Sequence, residues 1–136
     1  MTRKDDVTMN YIQRYQLENK NNCNLALSIH FNSCSKENTA TGAEVWVHSK
    51  AYPVTVRFAE SLLQHISRVD YIKIRGVKKG YPGNPSVDFW CNRLTKSLSA
   101  LLEICFINND QDVKRFLKNY KEYASAIADA CINVLK

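Results

Sequence analysis

Apolar and polar positions along this chain follow two periods in turn. From about Val7 to Lys20 the period is helical, with Val7, Tyr11, Ile12 and Tyr15 on one face. The polar run ENKNNCN ends that helix. LALSIH, Leu25 to His30, is nearly continuous in apolar residues and predicts a strand buried on both faces, as parallel strands are. NSCSKENTAT is rich in turn formers and reads as a loop. GAEVWVHS alternates and carries β-branched and aromatic residues, which predicts a second strand. From Pro53 to Val69 the helical period returns. Pro53 suits a first turn, and Phe58, Leu62 and either His65 or Ile66 mark the buried stripe.

Gly76 to Pro85 holds three glycines and two prolines and predicts a loop. SVDFW reads as a short strand. LSALLEICFI is the most apolar run and predicts a central strand. NNDQD is a turn in which Asp110 or Asp112 is placed to cap the next helix. The tail reads as two helical pieces. The second, Tyr120 to Leu135, puts Tyr123, Ile127, Ala130, Cys131 and Val134 on one face. Strands alternating with helices predict an α/β domain of three layers, a largely parallel twisted sheet flanked by helices. Functional groups gather at the carboxyl ends of strands in such sheets.

The 136 residues fit one domain, 1–136, large enough to bury a core without disulfide staples. A hydrophobic fraction of 45% with 24% charged residues is that of an ordinary globular protein. No run approaches the ~18 apolar residues of a membrane span, and MTRKDDVTMN has no apolar core of a signal peptide. Cys23, Cys34, Cys91, Cys105 and Cys131 are odd in number and form no CxxC pair, so reduced, mostly buried thiols are expected. The formal charge of +6 favours an anionic partner. Its densest cluster is Lys73, Arg75, Lys78 and Lys79, which a solvated loop explains equally well. A nucleic-acid surface would need aromatic residues among lysines on an exposed sheet, and these strands read as buried.

Two residues carry candidate chemistry. His30 ends one buried strand. Glu103 lies inside LLEICFI, where a carboxylate is paired, binds a metal or has a raised pKa for proton transfer. A buried ion pair to Arg14 or Arg93 would explain Glu103 without function, and a carbonyl-bonded core histidine would explain His30. Together they match the ingredients of zinc hydrolysis, a histidine ligand and a glutamate base. His48 and His65 belong to no HExxH pattern and are assigned to structure or surface.

At these residues the sequence resembles the zinc-dependent N-acetylmuramoyl-L-alanine amidases of bacterial cell walls and phage endolysins. Thr2-Arg3 is similar to a threonine-arginine segment after the family's second strand. Arg14 and Asn19 fit a helix motif in which Glu18 replaces an alanine. LSIHFNS, GAEVWV, RGVKK, ALLEICFINNDQD and the tail YKEYASAIADACINVL follow in the family's order. The resemblance implies that His30 is a zinc ligand and Glu103 the catalytic glutamate. It implies hydrolysis of the peptidoglycan amide between N-acetylmuramic acid and L-alanine. Cys105 stands where the family usually has glycine.

The resemblance also implies two further zinc ligands, a histidine in a GHG turn and a glutamate, on a first strand and first helix that precede the matched segments. Neither is among these residues, and Glu18, Glu37, His48 and His65 do not stand at the family's positions. The expectation is therefore an N-terminally truncated amidase domain with an incomplete zinc site. A truncated or prophage-derived frame is the favoured origin. A fragment completed by another polypeptide, and a non-catalytic cell-wall-binding remnant, are the alternatives.

Overall fold

The structure, a computed structural model, describes all residues from Met1 to Lys136. The elements in chain order are α1 (Tyr11–Lys20), β1 (Leu25–Asn32), β2 (Ala43–Val47), α2 (Pro53–Ser67), β3 (Ile74–Lys79), α3 (Trp90–Arg93), β4 (Leu98–Phe106) and α4 (Asp110–Val134). The four strands form one sheet in the order β1-β4-β2-β3. β1 runs parallel to β4 and β2 parallel to β3, while β2 and β4 are antiparallel.

Side-chain alternation divides the sheet into two faces. Ala43, Val45 and Val47 of β2 and Ala100, Leu102 and Ile104 of β4 pack with Phe58, Leu62 and Ile66 of α2 and Tyr123, Ile127 and Ala130 of α4 into one core. The opposite face is covered by α3, against which α1 packs. This is the three-layer α/β arrangement expected from the pattern, and β4 is central as expected.

Several local expectations are corrected. β1 is not buried on both faces. It is an edge strand, paired only with β4, and leaves Ile29 and Phe31 52% and 41% exposed. The first helix begins at Tyr11, after Asn10, whose side chain accepts from the Gln13 N–H and whose own N–H is bonded by the Gln13 side chain. Nothing in that helix is buried, so its periodic apolar residues mark a contact face and not a core stripe. The RGVKK segment is strand, not loop. β3 passes through Gly76, whose φ of +91° coincides with a slip in register opposite β2. SVDFW forms no strand and leads into the single turn of α3. Asn109, not Asp110 or Asp112, caps α4, its side chain accepting from the N–H groups of Gln111 and Asp112. The two tail pieces are one element interrupted at Asn119, which has non-helical angles, so the predicted start at Tyr120 falls at the break.

Asp112 has a different task. It is fully buried. Its carboxylate accepts from Thr41 Oγ1 at 2.5 Å and from the N–H groups of Gly42 and Phe106 at 3.0 Å each. Arg115 approaches it at 3.4 Å. One side chain thereby joins the entry to β2, the exit of β4 and the first turn of α4. Gly42 is required there: its φ is +108°, and a Cβ would lie 2.3 Å from the Lys73 carbonyl oxygen.

Removing a buried, fully bonded carboxylate leaves its donors unpaired. Asp112→Ala is expected to destabilise the fold by about 3–5 kcal/mol, read as a lowered urea midpoint. Gly42→Ala is expected to shift the midpoint in the same direction. An unchanged midpoint in Asp112→Ala would refute this role.

Candidate functional site

The sheet register builds the site. His30 of β1 is the cross-strand partner of Glu103 of β4, and Glu103 is in turn the partner of Glu44 of β2. Directly opposed residues point to the same face. An imidazole and two carboxyl groups therefore stand in a row across three strands, on the face away from the α2–α4 core. Beyond Glu103 the pairing changes. β1 advances from His30 to Asn32 while β4 advances from Glu103 to Phe106, which is a β-bulge. The extra residue puts both Ile104 and Cys105 in the core and returns Phe106 to the Glu103 side, under the Arg75 guanidinium at 5.0 Å. Cys105, the departure from the family's glycine, thus sits in the bulge. Burial pushes its thiol up to about 12, so it is inert packing.

The two carboxyl groups are treated differently. Glu44 is 5% exposed and fully engaged. Its Oε1 accepts from Asn32 Nδ2 and Trp46 Nε1, each at 2.9 Å, and its Oε2 accepts from Arg75 Nε at 2.8 Å. Glu103 has none of these. Its Oε2 is buried and accepts no hydrogen bond, and neither Arg14 nor Arg93 forms an ion pair with it. Burial first, and the Glu44 charge second, push the Glu103 carboxyl up from 4.5 to about 7. A buried ion pair therefore does not account for Glu103.

His30 lies at the exposed rim of the row, its Nε2 3.1 Å from Ser28 Oγ. Partial burial of the ring and then the Arg14 guanidinium hold its pKa below the ordinary value, so the neutral imidazole dominates at pH 7. From α3, burial and then the nearby Glu103 charge raise the Cys91 thiol. The buried Asn92 beside it donates to the Trp46 carbonyl at 2.9 Å. Asn19 ties α1 to the same layer, donating to the Leu94 carbonyl and accepting from the Lys96 N–H.

The other histidines lie elsewhere, as assigned. His48 Nε2 is 3.2 Å from Asp88, and His65 Nδ1 is 2.8 Å from the Ser61 carbonyl of its own helix. Glu44 and Arg75 were not candidates in the sequence reading. Glu44 alternates with Ala43, Val45 and Val47, so the pattern places it on the polar face; only the α3 layer makes that face an interior.

A catalytic zinc takes three protein ligands in general. No three His, Cys, Asp or Glu side chains here are grouped to hold a metal ion. His30 is free to ligate, but Glu44 is committed to three donors. Residues 1–136 do not on their own fit the zinc that the family generally uses.

The fold and this row define the chain as a three-layer α/β domain that carries a buried carboxyl in register with an imidazole on the neighbouring strand. A profile of the N-acetylmuramoyl-L-alanine amidases matches residues 1–133, and the chain belongs to that family. The N-acetylmuramoyl-L-alanine amidase of Clostridium difficile 630 superposes with a TM-score of 0.86 at 24% identity, over 98% of this chain and 69% of that one. Cwp6 from Clostridium difficile gives 0.87 at 26% identity, over 100% of this chain and 22% of that one. The catalytic domain of CwlV, from Bacillus (Paenibacillus) polymyxa, gives 0.82 at 24% identity, over 98% and 70%. No curated protein sequence matches the chain.

The raised Glu103 pKa has a signed consequence. The native state keeps this proton longer than the unfolded chain, so its contribution to stability falls as pH rises from 4.5 to about 7 and is flat above. Glu103→Gln is neutral throughout. Its melting temperature is expected to gain on the parent by about 3 °C between pH 4.5 and 7.5, measured by differential scanning calorimetry. A constant difference across that range would mean that the carboxyl has the same pKa in the folded and unfolded chain.

Proposed function

We propose that this domain acts on the amide between N-acetylmuramic acid and L-alanine of peptidoglycan, with Glu103 as the proton-transfer group. The supporting observation is the unpartnered Glu103 carboxyl in register with His30 at the carboxyl end of adjacent parallel strands. A group titrating at about 7 is suited to both halves of such a reaction. As carboxylate, Glu103 takes a proton from water while the water oxygen bonds to the lactyl carbonyl carbon. As acid, it returns that proton to the alanine nitrogen when the C–N bond breaks. Arg75, Trp46 and Asn32 hold Glu44 so that its charge is fixed beside Glu103. His30 is proposed as one metal ligand, with the remaining ligands supplied from outside residues 1–136.

The ligand count favours a second reading, a non-catalytic wall-binding remnant of the same family. Purified sacculi separate the two. The amidase reading expects new amino-terminal alanine at some zinc concentration of a titration. Glu103→Gln is expected to lower its release at least about 100-fold while leaving retention on the wall unchanged. Retention without release under any zinc concentration supports the remnant. New reducing ends or other amino termini would overturn the amidase reading.

A further inference from the structure

The two edges of the sheet are built differently. β3, the outer strand on one side, carries Arg75, Lys78 and Lys79 and contains the register slip at Gly76. Charge and irregularity of that kind keep one sheet edge from pairing with another. β1, the outer strand on the other side, has neither. Its eight residues, LALSIHFN, include no lysine, arginine, acid or proline. The bulge beside His30 lies in β4, so β1 itself is regular. No loop or terminus makes a backbone hydrogen bond to residues 25–31.

An apolar surface continues from this edge. Ile29 is in register with the core residue Leu102, so Ile29 and Phe31 stand exposed on the layer of the sheet that faces α4. Phe31 meets Phe116 of α4 with ring centroids 4.9 Å apart. Gln111, Lys114, Arg115 and Lys118 line a cavity with Asp70 on the far flank of that helix. At 3.6 residues per turn, Leu117 and Tyr120 fall on the opposite flank, toward β1. They are 63% and 52% exposed. Four large apolar side chains thus border an unpaired strand edge, which is the mark of an interaction surface.

We propose that β1 pairs with β1 of a second copy of this chain, antiparallel about a two-fold axis normal to the sheet, so that two four-stranded sheets become one. Such an axis sets odd-numbered residues against odd-numbered ones. Leu27, Ile29 and Phe31 of both copies then share the α4 layer, and Ser28 and His30 share the other. The edge is therefore self-complementary, as an isologous interface must be. Charge distribution favours the same occupant. A net charge of +6 opposes self-association, but its densest cluster, Lys73, Arg75, Lys78 and Lys79, lies in and just before β3, at the far edge of the sheet. The one edge free of fixed charge is the edge at which two copies can meet. Each copy then has its open edge covered, and the assembly closes as a dimer. The pairing needs neither metal nor substrate and is independent of the amidase reading.

Sedimentation velocity tests this on the unmodified chain. It is expected to pass from monomer to dimer between about 1 and about 300 μM. Ile29→Lys brings two like charges to the seam and is expected to weaken the dimer at least about tenfold. Leu117→Lys, on the other element of the patch, is expected to weaken it in the same direction, and Lys78→Gln on β3 not to weaken it. In hydrogen exchange, alternate amides of β1 are expected to gain protection as concentration rises. A chain that stays monomeric throughout overturns the proposal and leaves the edge to a strand of a different polypeptide. A dimer that both lysine variants leave intact overturns it too, as does a ladder of larger oligomers, which a closed two-fold pair cannot give. Should Ile29→Lys fail to fold, Leu117→Lys and the β1 exchange decide the matter.

Discussion

The buried carboxylate of Asp112 is the constraint from which the site follows. Four donors converge on it from three places in the chain: the loop before β2, the end of β4 and the first turn of α4. β2 and β4 are antiparallel, so the entry of one and the exit of the other share an end of the sheet. Pinning both to one side chain sets how far β2 slides along β4. A slip of one residue would turn Glu44 to the other face. Asp112 does not touch the candidate site, yet the opposition of Glu44 and Glu103 depends on it.

That opposition divides the work between two carboxyl groups. Three donors converge on Glu44, and none reaches Glu103 Oε2. The first becomes a fixed negative charge in the wall of the site. The second, short of solvation and facing that charge, holds its proton to about pH 7. Like-charged neighbours are unfavourable for stability. Their retention here is understandable if the poised proton on Glu103 is the product of the arrangement.

The sequence disclosed most about elements whose environment is uniform. β4 is covered on both faces, and its continuous apolar run announced a central strand with Glu103 as the anomaly. α4 declared its buried stripe and its break. Legibility failed where a pattern has two physical causes. LALSIH looks like a doubly buried strand, but β1 has one neighbour, and its apolar side chains face the rim of the core and open solvent. RGVKK looks like a loop because Gly76 and the following glycines suggest turns, whereas Gly76 serves a register slip within β3. Glu44 looked like an ordinary polar-face residue, since no local signal shows that α3, a single turn some forty residues later, covers that face. His30 and Glu103 could be grouped by residue type and strand position, and the family-like motifs gave them roles, but their contact was not visible. Their sequence separation hides a register contact between adjacent parallel strands.

The match to the family is closest in the scaffold and thinnest in the metal. The structure superposes on amidases over nearly its whole length, and the sheet supplies Glu103 and a neutral His30 in mutual register. These two depend only on β1 and β4, so their juxtaposition is set by strand pairing alone. A tight zinc site requires ligands from several elements at once, and one imidazole at an exposed strand edge does not meet that requirement. The acid–base half and the metal half of such a site are therefore separable in this fold. A chain holding only the first keeps the Glu44–Glu103–His30 row across β2, β4 and β1.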